Sequence, residues 1–177
     1  MATSVSEPGN ATATATPARD WAAVVHLLHV SRALDQLEEQ VLVPQKKVIY
    51  QFSARGHDLA QILLGQRLTH RHDGACGYYR SRPLLLALGV PLEDALGSSM
   101  ARAGGYSDGR DIGVVFNYPN QNGPSALPMC GGVGSQYTPT VGWAQAVEYR
   151  ERVLGDATYA GAVGVVLGGD ASVATNG

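Results

Sequence analysis

The spacing of apolar residues predicts helices along the first two thirds of the chain. Between Asp20, a suitable N-cap, and about Pro44, apolar residues recur every three or four positions, which is the period of an amphipathic helix. The residues that carry this period are Trp21, Val24, Val25, Leu28, Leu34, Leu37, Val41 and Leu42. The same period from His57 and Asp58 to Leu68 predicts a second helix.

One further element is predicted before the second helix, and two are predicted after it. The segment 48–58 (VIYQFSARGHD) is expected to be a short β-rich run that closes in a glycine turn. Two short helices are expected near 83–88 and 91–103. The first of them begins at a proline, which suits the first helical turn, and Gly104-Gly105 is expected to end the second.

The last third predicts a loop, a helix and a strand in succession. Residues 104–135 are rich in Gly, Pro and Asn, and we expect an ordered, functional loop there. A helix is predicted from Val133 to about Leu154, with a proline near its start. The run Ala160–Leu167 (AGAVGVVL) is typical of a buried parallel strand. The fold class predicted is α/β, a parallel sheet with flanking helices, truncated at the carboxyl end of a strand with no helix after Asp170.

Composition indicates one folded domain with a tail. The 177 residues are 45% hydrophobic, enough for a sizeable core, and 16% are charged. The formal net charge of −2 leaves no basic face for nucleic acid. Small and polar residues dominate positions 1–19, so we predict a disordered tail there and a folded domain over 20–177.

Neither a membrane nor a secretory route is indicated by the sequence. No apolar run approaches the roughly 18 residues that cross a bilayer, and the N-terminus lacks the pattern of a signal peptide. Cys76 and Cys130 have neither C-x-x-C nor metal-site spacing, so two buried free thiols in a reducing compartment are expected. The sequence therefore predicts a cytoplasmic protein.

Two short motifs have the chemistry to bind a phosphorylated ligand. A buried strand that ends at Gly169 and Asp170 places a carboxylate at the carboxyl edge of a parallel sheet, where α/β proteins bind ligands and a carboxylate suits Mg²⁺. Tyr79 and Arg80 place a phenol beside a guanidinium, which binds phosphate through paired hydrogen bonds. Each motif taken alone is explained as well by an ordinary turn or loop.

Two histidine pairs also occur, but neither pair is expected to bind a metal ion, and the first has no third ligand in view. These pairs are His26 with His29 and His70 with His72. We expect the second pair to belong to a solvated loop.

The order of the motifs along the chain resembles a known enzyme family. Gly-His-Asp-Leu-Ala-Gln at 56–61 precedes Tyr-Tyr-Arg at 78–80, and a long loop leads to Gly-Gly-Val-Gly-Ser-Gln at 131–136 and Gly-Asp-Ala at 169–171. This succession resembles the α subunit, or α half, of the thiamine diphosphate-dependent E1 component of 2-oxo acid dehydrogenases, over roughly residues 25–177. The resemblance implies a thiamine diphosphate-binding fold.

The resemblance also implies roles for individual residues. Tyr79 and Arg80 correspond to the pair that binds the cofactor diphosphate, and Asp170 to a direct Mg²⁺ ligand. All positions that match cofactor-binding residues are Tyr79, Arg80, Gly131, Val133, Gly169, Asp170 and Ala171. The positions that match a K⁺ site of some members are Cys130, Gly132, Ser135 and Gln136. No catalytic acid or base is implied for this segment.

The sequence departs from the family pattern in its metal motif. Ala171 replaces the second glycine of the signature, and the Asn that supplies a second Mg²⁺ ligand one helix further on has no counterpart. Asn176 is too close to Asp170 to replace it. We therefore expect the N-terminal part of a longer E1 protein, inactive alone because half of the metal site and half of the cofactor site are absent.

By this resemblance, the whole enzyme decarboxylates a 2-oxo acid and transfers the acyl group to a lipoyl-bearing E2 acyltransferase. The implied cofactors are thiamine diphosphate and Mg²⁺, with K⁺ in some members. The implied partner is an E1 β subunit or β half, in an α2β2 or fused homodimeric assembly.

Two alternatives stay open beside this interpretation. A Rossmann-type nucleotide-binding protein requires a Gly-x-Gly-x-x-Gly after the first strand, which the sequence lacks. A non-catalytic scaffold or interaction module of the same fold is expected to lose Arg80 or Asp170, and both are present.

Overall fold

A computed structural model describes residues 19–110 and 115–175 of the chain, which form helices around a small sheet. The helices are α1 (Trp21–Leu37), α2 (Asp58–Gly65), α3 (Arg82–Ala87), α4 (Leu92–Ser99), α5 (Tyr137–Glu148) and α6 (Asp170–Thr175). The strands are β1 (Gly74–Cys76), β2 (Ser125–Ala126) and β3 (Gly164–Val166). Short π-helical segments continue α1 and α5, at Glu38–Leu42 and Tyr149–Val153, and a 3₁₀ turn lies at Ala157–Tyr159.

Part of what the sequence predicts lies outside the described residues. This applies to residues 1–18 of the predicted tail, to 111–114 of the predicted loop and to Asn176. Within the described ranges, no helix combines the length and the apolar character that crossing a membrane requires.

The sheet is parallel, with β1 in the centre and the strand order β2-β1-β3. Gly74 lies opposite Ser125 on one side and opposite Gly164 on the other. Helix α5 packs on β1 and β3, and α1, α2 and α3 pack against one another. The leucines of α3 share a buried cluster with Ala75 of β1 and Ala126 of β2. This arrangement confirms the predicted α/β class and the predicted parallel sheet with flanking helices.

Small residues in β1 let helices approach both faces of the sheet. Ala75 and Ala126 join a buried cluster that includes the leucines of α3. On the opposite face, a Cβ added to Gly74 would lie 2.6 Å from the indole nitrogen of Trp143 on α5. That nitrogen donates a hydrogen bond of 2.9 Å to the carbonyl of His72. The close contact of α5 with the centre of the sheet therefore depends on the absence of a side chain at position 74.

Asp73 fixes the amino ends of all three strands through its buried carboxylate and its backbone carbonyl. Its Oδ1 accepts from the N–H of Val163 at 2.9 Å, just before β3, and its Oδ2 accepts from the N–H of His70 at 2.9 Å. The Asp73 carbonyl accepts from the N–H of Ser125, the first residue of β2. Because Asp73 is only 3% exposed, these bonds satisfy a charged group that would otherwise be costly to bury.

A second buried ionic group joins α1 to α3. Asp35 and Glu38 are each 1% exposed, and the Arg82 guanidinium meets both, at 3.4 Å and 2.6 Å. Asp35 also accepts from the Ser53 hydroxyl and the Ala54 N–H. The segment after α1 is thus held against the helices by hydrogen bonds to a charged side chain.

The central part of the chain differs most from the sequence prediction. The predicted β-rich run 48–58 contains no strand in its described residues, and its large apolar side chains Ile49 and Tyr50 are 83% and 54% exposed. The central strand is instead Gly74–Cys76, which the sequence does not predict because Gly, Ala and Cys carry no β-branched or aromatic signal. The predicted loop 104–135 also contains the short strand β2.

Three helix boundaries shift for local reasons. The helix predicted over 91–103 ends at Ser99, and Ala101 adopts a left-handed φ of 51° that a helix cannot include. The helix predicted from Val133 starts at Tyr137, because Gly134 has a φ of 107°. The expectation that no helix follows β3 is wrong: α6 begins directly at Asp170.

We predict that Asp73→Ala lowers the free energy of unfolding by about 3 kcal/mol, since two N–H groups lose a charged acceptor in the interior. Urea denaturation measures this loss. The control Asp156→Ala removes a carboxylate that accepts within its own turn, from Thr158, and is expected to cost far less. Equal losses in the two variants would contradict the role given to Asp73.

We predict that Gly74→Ala destabilises the fold by about 1–3 kcal/mol, because its Cβ collides with the indole of Trp143. The matched control is Gly142→Ala on α5, where an added Cβ meets no atom within 4 Å. There alanine favours the helix, so the control is expected to be neutral or slightly stabilising. Thermal unfolding of both variants checks the prediction, and a stable Gly74→Ala protein would refute it.

Candidate functional site

The carboxyl ends of the three strands bring the sequence motifs to one edge of the sheet. The segment Tyr78–Arg80 follows β1, the segment 127–136 follows β2, and Gly168–Asp170 follows β3. Parallel strands leave a sheet at the same edge, which is where open α/β folds bind ligands. Two backbone hydrogen bonds extend the pairing past the strands, from Leu127 to Ala75 and from Leu167 to Cys76.

The turn after β1 holds Tyr79 and Arg80 in a fixed arrangement. Ser81 is fully buried, and its hydroxyl accepts from the N–H of Tyr78 at 3.0 Å. The Arg80 guanidinium donates to the Ser53 carbonyl at 2.8 Å and lies 5.5 Å from the centre of the Tyr79 ring. A guanidinium has five N–H donors. One of them holds Arg80 on the Ser53 carbonyl, and the others can donate to an anion.

The Tyr79 ring is supported by aromatic packing. Its centre lies 4.6 Å from that of Phe52, in the segment predicted to be a strand, and 5.4 Å from that of Tyr78. Among the described residues, its hydroxyl has no hydrogen-bond partner. The phenol is therefore held by its ring and keeps its polar end for a ligand.

His57 is a member of this cluster that the sequence analysis does not assign to the site. Its Nδ1 lies 3.1 Å from the Tyr78 hydroxyl. The two residues are far apart in sequence, and only the packing of α2 beside the turn after β1 joins them. Burial raises the pKa of Tyr78, so the phenol stays protonated and can hydrogen-bond to the imidazole.

The loop after β2 exposes its glycines and its cysteine. Gly131, Gly132 and Val133 are exposed, so backbone groups of this loop are accessible at the edge of the sheet. The Ser135 hydroxyl lies 2.6 Å from the Gly132 carbonyl and 2.7 Å from the sulfur of Cys130, so its single proton can be donated to either of them. Cys130, Gly132 and Ser135, three of the four residues that match a K⁺ site, thus lie in contact with one another.

The two thiols have opposite environments. Cys76 is buried, and burial raises its pKa to about 11. Cys130 is exposed, and its pKa is lowered by the hydrogen bond of the Ser135 hydroxyl and then by that of the Gly132 N–H. The prediction of two buried thiols is therefore wrong for Cys130, which lies in a surface loop.

The turn after β3 presents a free carboxylate. Asp170 is exposed at the first position of α6, and its carboxylate has no hydrogen-bond or ion-pair partner among residues 19–110 and 115–175. A Cβ added at Gly169 would meet no atom within 4 Å, so the backbone there is open, and Ala171 is exposed beside it. This carboxylate is available to a cation.

The motifs share an edge without direct contact. In the described part of the chain, no hydrogen bond or ion pair joins Arg80 to Asp170, and no three His, Cys, Asp or Glu side chains form a group suited to a metal ion. Mg²⁺ in phosphate sites is bound by one or two carboxylates together with phosphate oxygens. A single carboxylate therefore fits Mg²⁺ only when a phosphorylated ligand supplies further oxygens.

The histidines of the loop before β1 are half-buried. The His72 ring stacks on Tyr159 with centres 3.8 Å apart, and burial lowers its pKa. The N–H of His72 donates to Nδ1 of His70. The loop expected to be solvated is thus solvated in part: Arg71 is exposed, and the His72 ring contacts the 3₁₀ turn.

The sequence matches no protein-family model.

We predict that iodoacetamide at neutral pH alkylates Cys130 well before Cys76, because a lowered pKa and exposure both favour attack by the thiolate. Ser135→Ala removes the hydroxyl that lowers the pKa of Cys130, so the midpoint of its rate–pH profile is expected to move upward. Mass spectrometry of timed reactions measures both effects. Ser107→Ala, in a remote loop, serves as the control, and an unchanged midpoint in Ser135→Ala would contradict the assignment.

Proposed function

We propose that this chain is part of a 2-oxo acid dehydrogenase E1 and that it anchors the diphosphate and the Mg²⁺ ion of thiamine diphosphate. The observation that supports the proposal is the convergence of three motifs at one edge of a parallel sheet. The motif order resembles the E1 α subunit, and the parallel sheet supplies a physical reason for motifs so distant in sequence to act on one ligand.

Each motif contributes a different interaction to the proposed anchor. Arg80 supplies a charged donor whose position is fixed through Ser53, and Tyr79 supplies an unpaired hydroxyl. Asp170 supplies a carboxylate for Mg²⁺, which neutralises the diphosphate together with Arg80. Gly131 and Val133 are exposed, so the backbone of the first and the apolar side chain of the second would contact the remainder of the cofactor.

When bound, thiamine diphosphate supplies the carbanion chemistry that decarboxylates a 2-oxo acid. The residues of this chain bind and orient the cofactor and transfer no proton. The proposed partners are the E1 β subunit or β half, which completes the cofactor site, and a lipoyl-bearing E2 that receives the acyl group.

The proposal is tested by calorimetric titration of thiamine diphosphate with Mg²⁺. Binding is expected to be weak or undetectable in the 177-residue chain and tight in a form extended downstream. In the extended form, Arg80→Gln is expected to weaken binding by about tenfold or more, since it removes a charge-assisted hydrogen bond.

The matched control is Arg71→Gln, which makes the same change before β1, at the opposite edge of the sheet, on an exposed side chain. Its affinity is expected to equal that of the unmodified protein. Absence of binding to the extended form would overturn the cofactor assignment and favour the non-catalytic scaffold. Equal losses for Arg80→Gln and Arg71→Gln would show that the sheet edge is not the anchor.

A further inference from the structure

Gln136 lies between two of the segments that the proposed anchor uses. It is only 2% exposed and immediately precedes α5. The loop after β2 ends at this residue, and the turn after β3 passes beside it. The Gln136 carboxamide can therefore bind both the loop after β2 and the turn after β3.

Both ends of the Gln136 carboxamide are used. Its Oε1 accepts from the N–H of Gly134 at 2.7 Å, and its Nε2 donates to the carbonyl of Leu167 at 2.9 Å. The N–H of Leu167 in turn donates to the carbonyl of Cys76 at the end of β1. One chain of hydrogen bonds thus connects the loop after β2, the residue that follows β3 and the end of β1, and its central link is a side chain.

Tyr137 supports the same turn from the next position. A Cβ added at Gly168 would overlap the Tyr137 hydroxyl, so the phenol lies directly against the backbone of the turn. That hydroxyl lies 3.0 Å from the hydroxyl of Ser172, which donates to the Gly169 carbonyl at 2.7 Å. The peptide before Asp170 is therefore held from the side of α5.

We propose that Gln136 is a positioning residue that fixes the turn bearing Asp170 relative to the Gly131–Ser135 loop. A carboxamide suits this role because it donates and accepts at once, whereas a carboxylate cannot donate to the Leu167 carbonyl. The part of the inference that concerns Mg²⁺ rests on the proposed function. The part that concerns the geometry of the turn does not.

The first test uses hydrogen exchange of the 177-residue chain without cofactor. Gln136→Glu keeps the size and the acceptor and loses the donor, so faster exchange is expected at the amides of Leu167 and Ser172. Gln136→Met removes both bonds, and the Gly134 amide is then expected to exchange faster as well. The same chemical change at an exposed position of α5, Gln145→Glu, is the control and is expected to leave these amides unchanged.

The second test separates Mg²⁺ binding from diphosphate binding in the extended form. Gln136→Glu is expected to raise the Mg²⁺ concentration for half-saturation about tenfold, the usual effect of losing a residue that orients a metal ligand. The affinity for thiamine diphosphate at saturating Mg²⁺ is expected to change much less. A purely structural loss would weaken both alike.

The outcomes distinguish the two proposals. Unchanged exchange in both Gln136 variants overturns the positioning role, whatever the cofactor measurements give. Faster exchange in a protein that binds no thiamine diphosphate leaves the geometric role and removes the proposed function. Faster exchange with equal losses of Mg²⁺ and diphosphate affinity overturns the link between Gln136 and Asp170. Gln136→Met keeps the exchange test decisive if the buried charge of Gln136→Glu prevents folding.

Discussion

The arrangement of the sheet depends on Asp73, whose buried carboxylate and backbone carbonyl join the amino ends of the strands. The strands have only two or three residues each, so their ladder hydrogen bonds are few. Asp73 binds the chain just before β3 through its side chain and the start of β2 through its carbonyl. Because an interior carboxylate must be fully hydrogen-bonded, it specifies which backbone groups lie beside it.

Fixing the amino ends of parallel strands also determines what lies at their carboxyl ends. With the register held at Gly74, the segments that begin after Cys76, Ala126 and Val166 leave the sheet at one edge. Gln136 then joins two of these segments through a second buried polar side chain. A buried polar group at each edge, one ionic and one neutral, thus limits how far the segments between them can move.

The sequence predicts which residues belong to the candidate site, but it predicts only some of the contacts among them. Tyr79, Arg80 and Asp170 are recognisable by residue type and order, and the structure places them after β1 and β3. The contact of His57 with Tyr78 and the bond of Gln136 to Leu167 have no local signal, because each depends on a partner distant in the chain. The exposure of Cys130 likewise follows from the path of its loop.

The sequence by itself determined the elements whose residues carry a period or a strong local preference: the helix from Trp21, the helices beginning at Asp58 and near Pro83, and an apolar strand before Gly168. Amphipathic period and helix-start residues act within a few positions, so they can be recognised locally. Tertiary structure alone decided that Gly74–Cys76 is the central strand and that 48–58 is not a strand. Small residues suit that centre because α5 and α3 approach it from opposite faces. This need depends on helices distant in the chain, so it leaves no local pattern in the sequence.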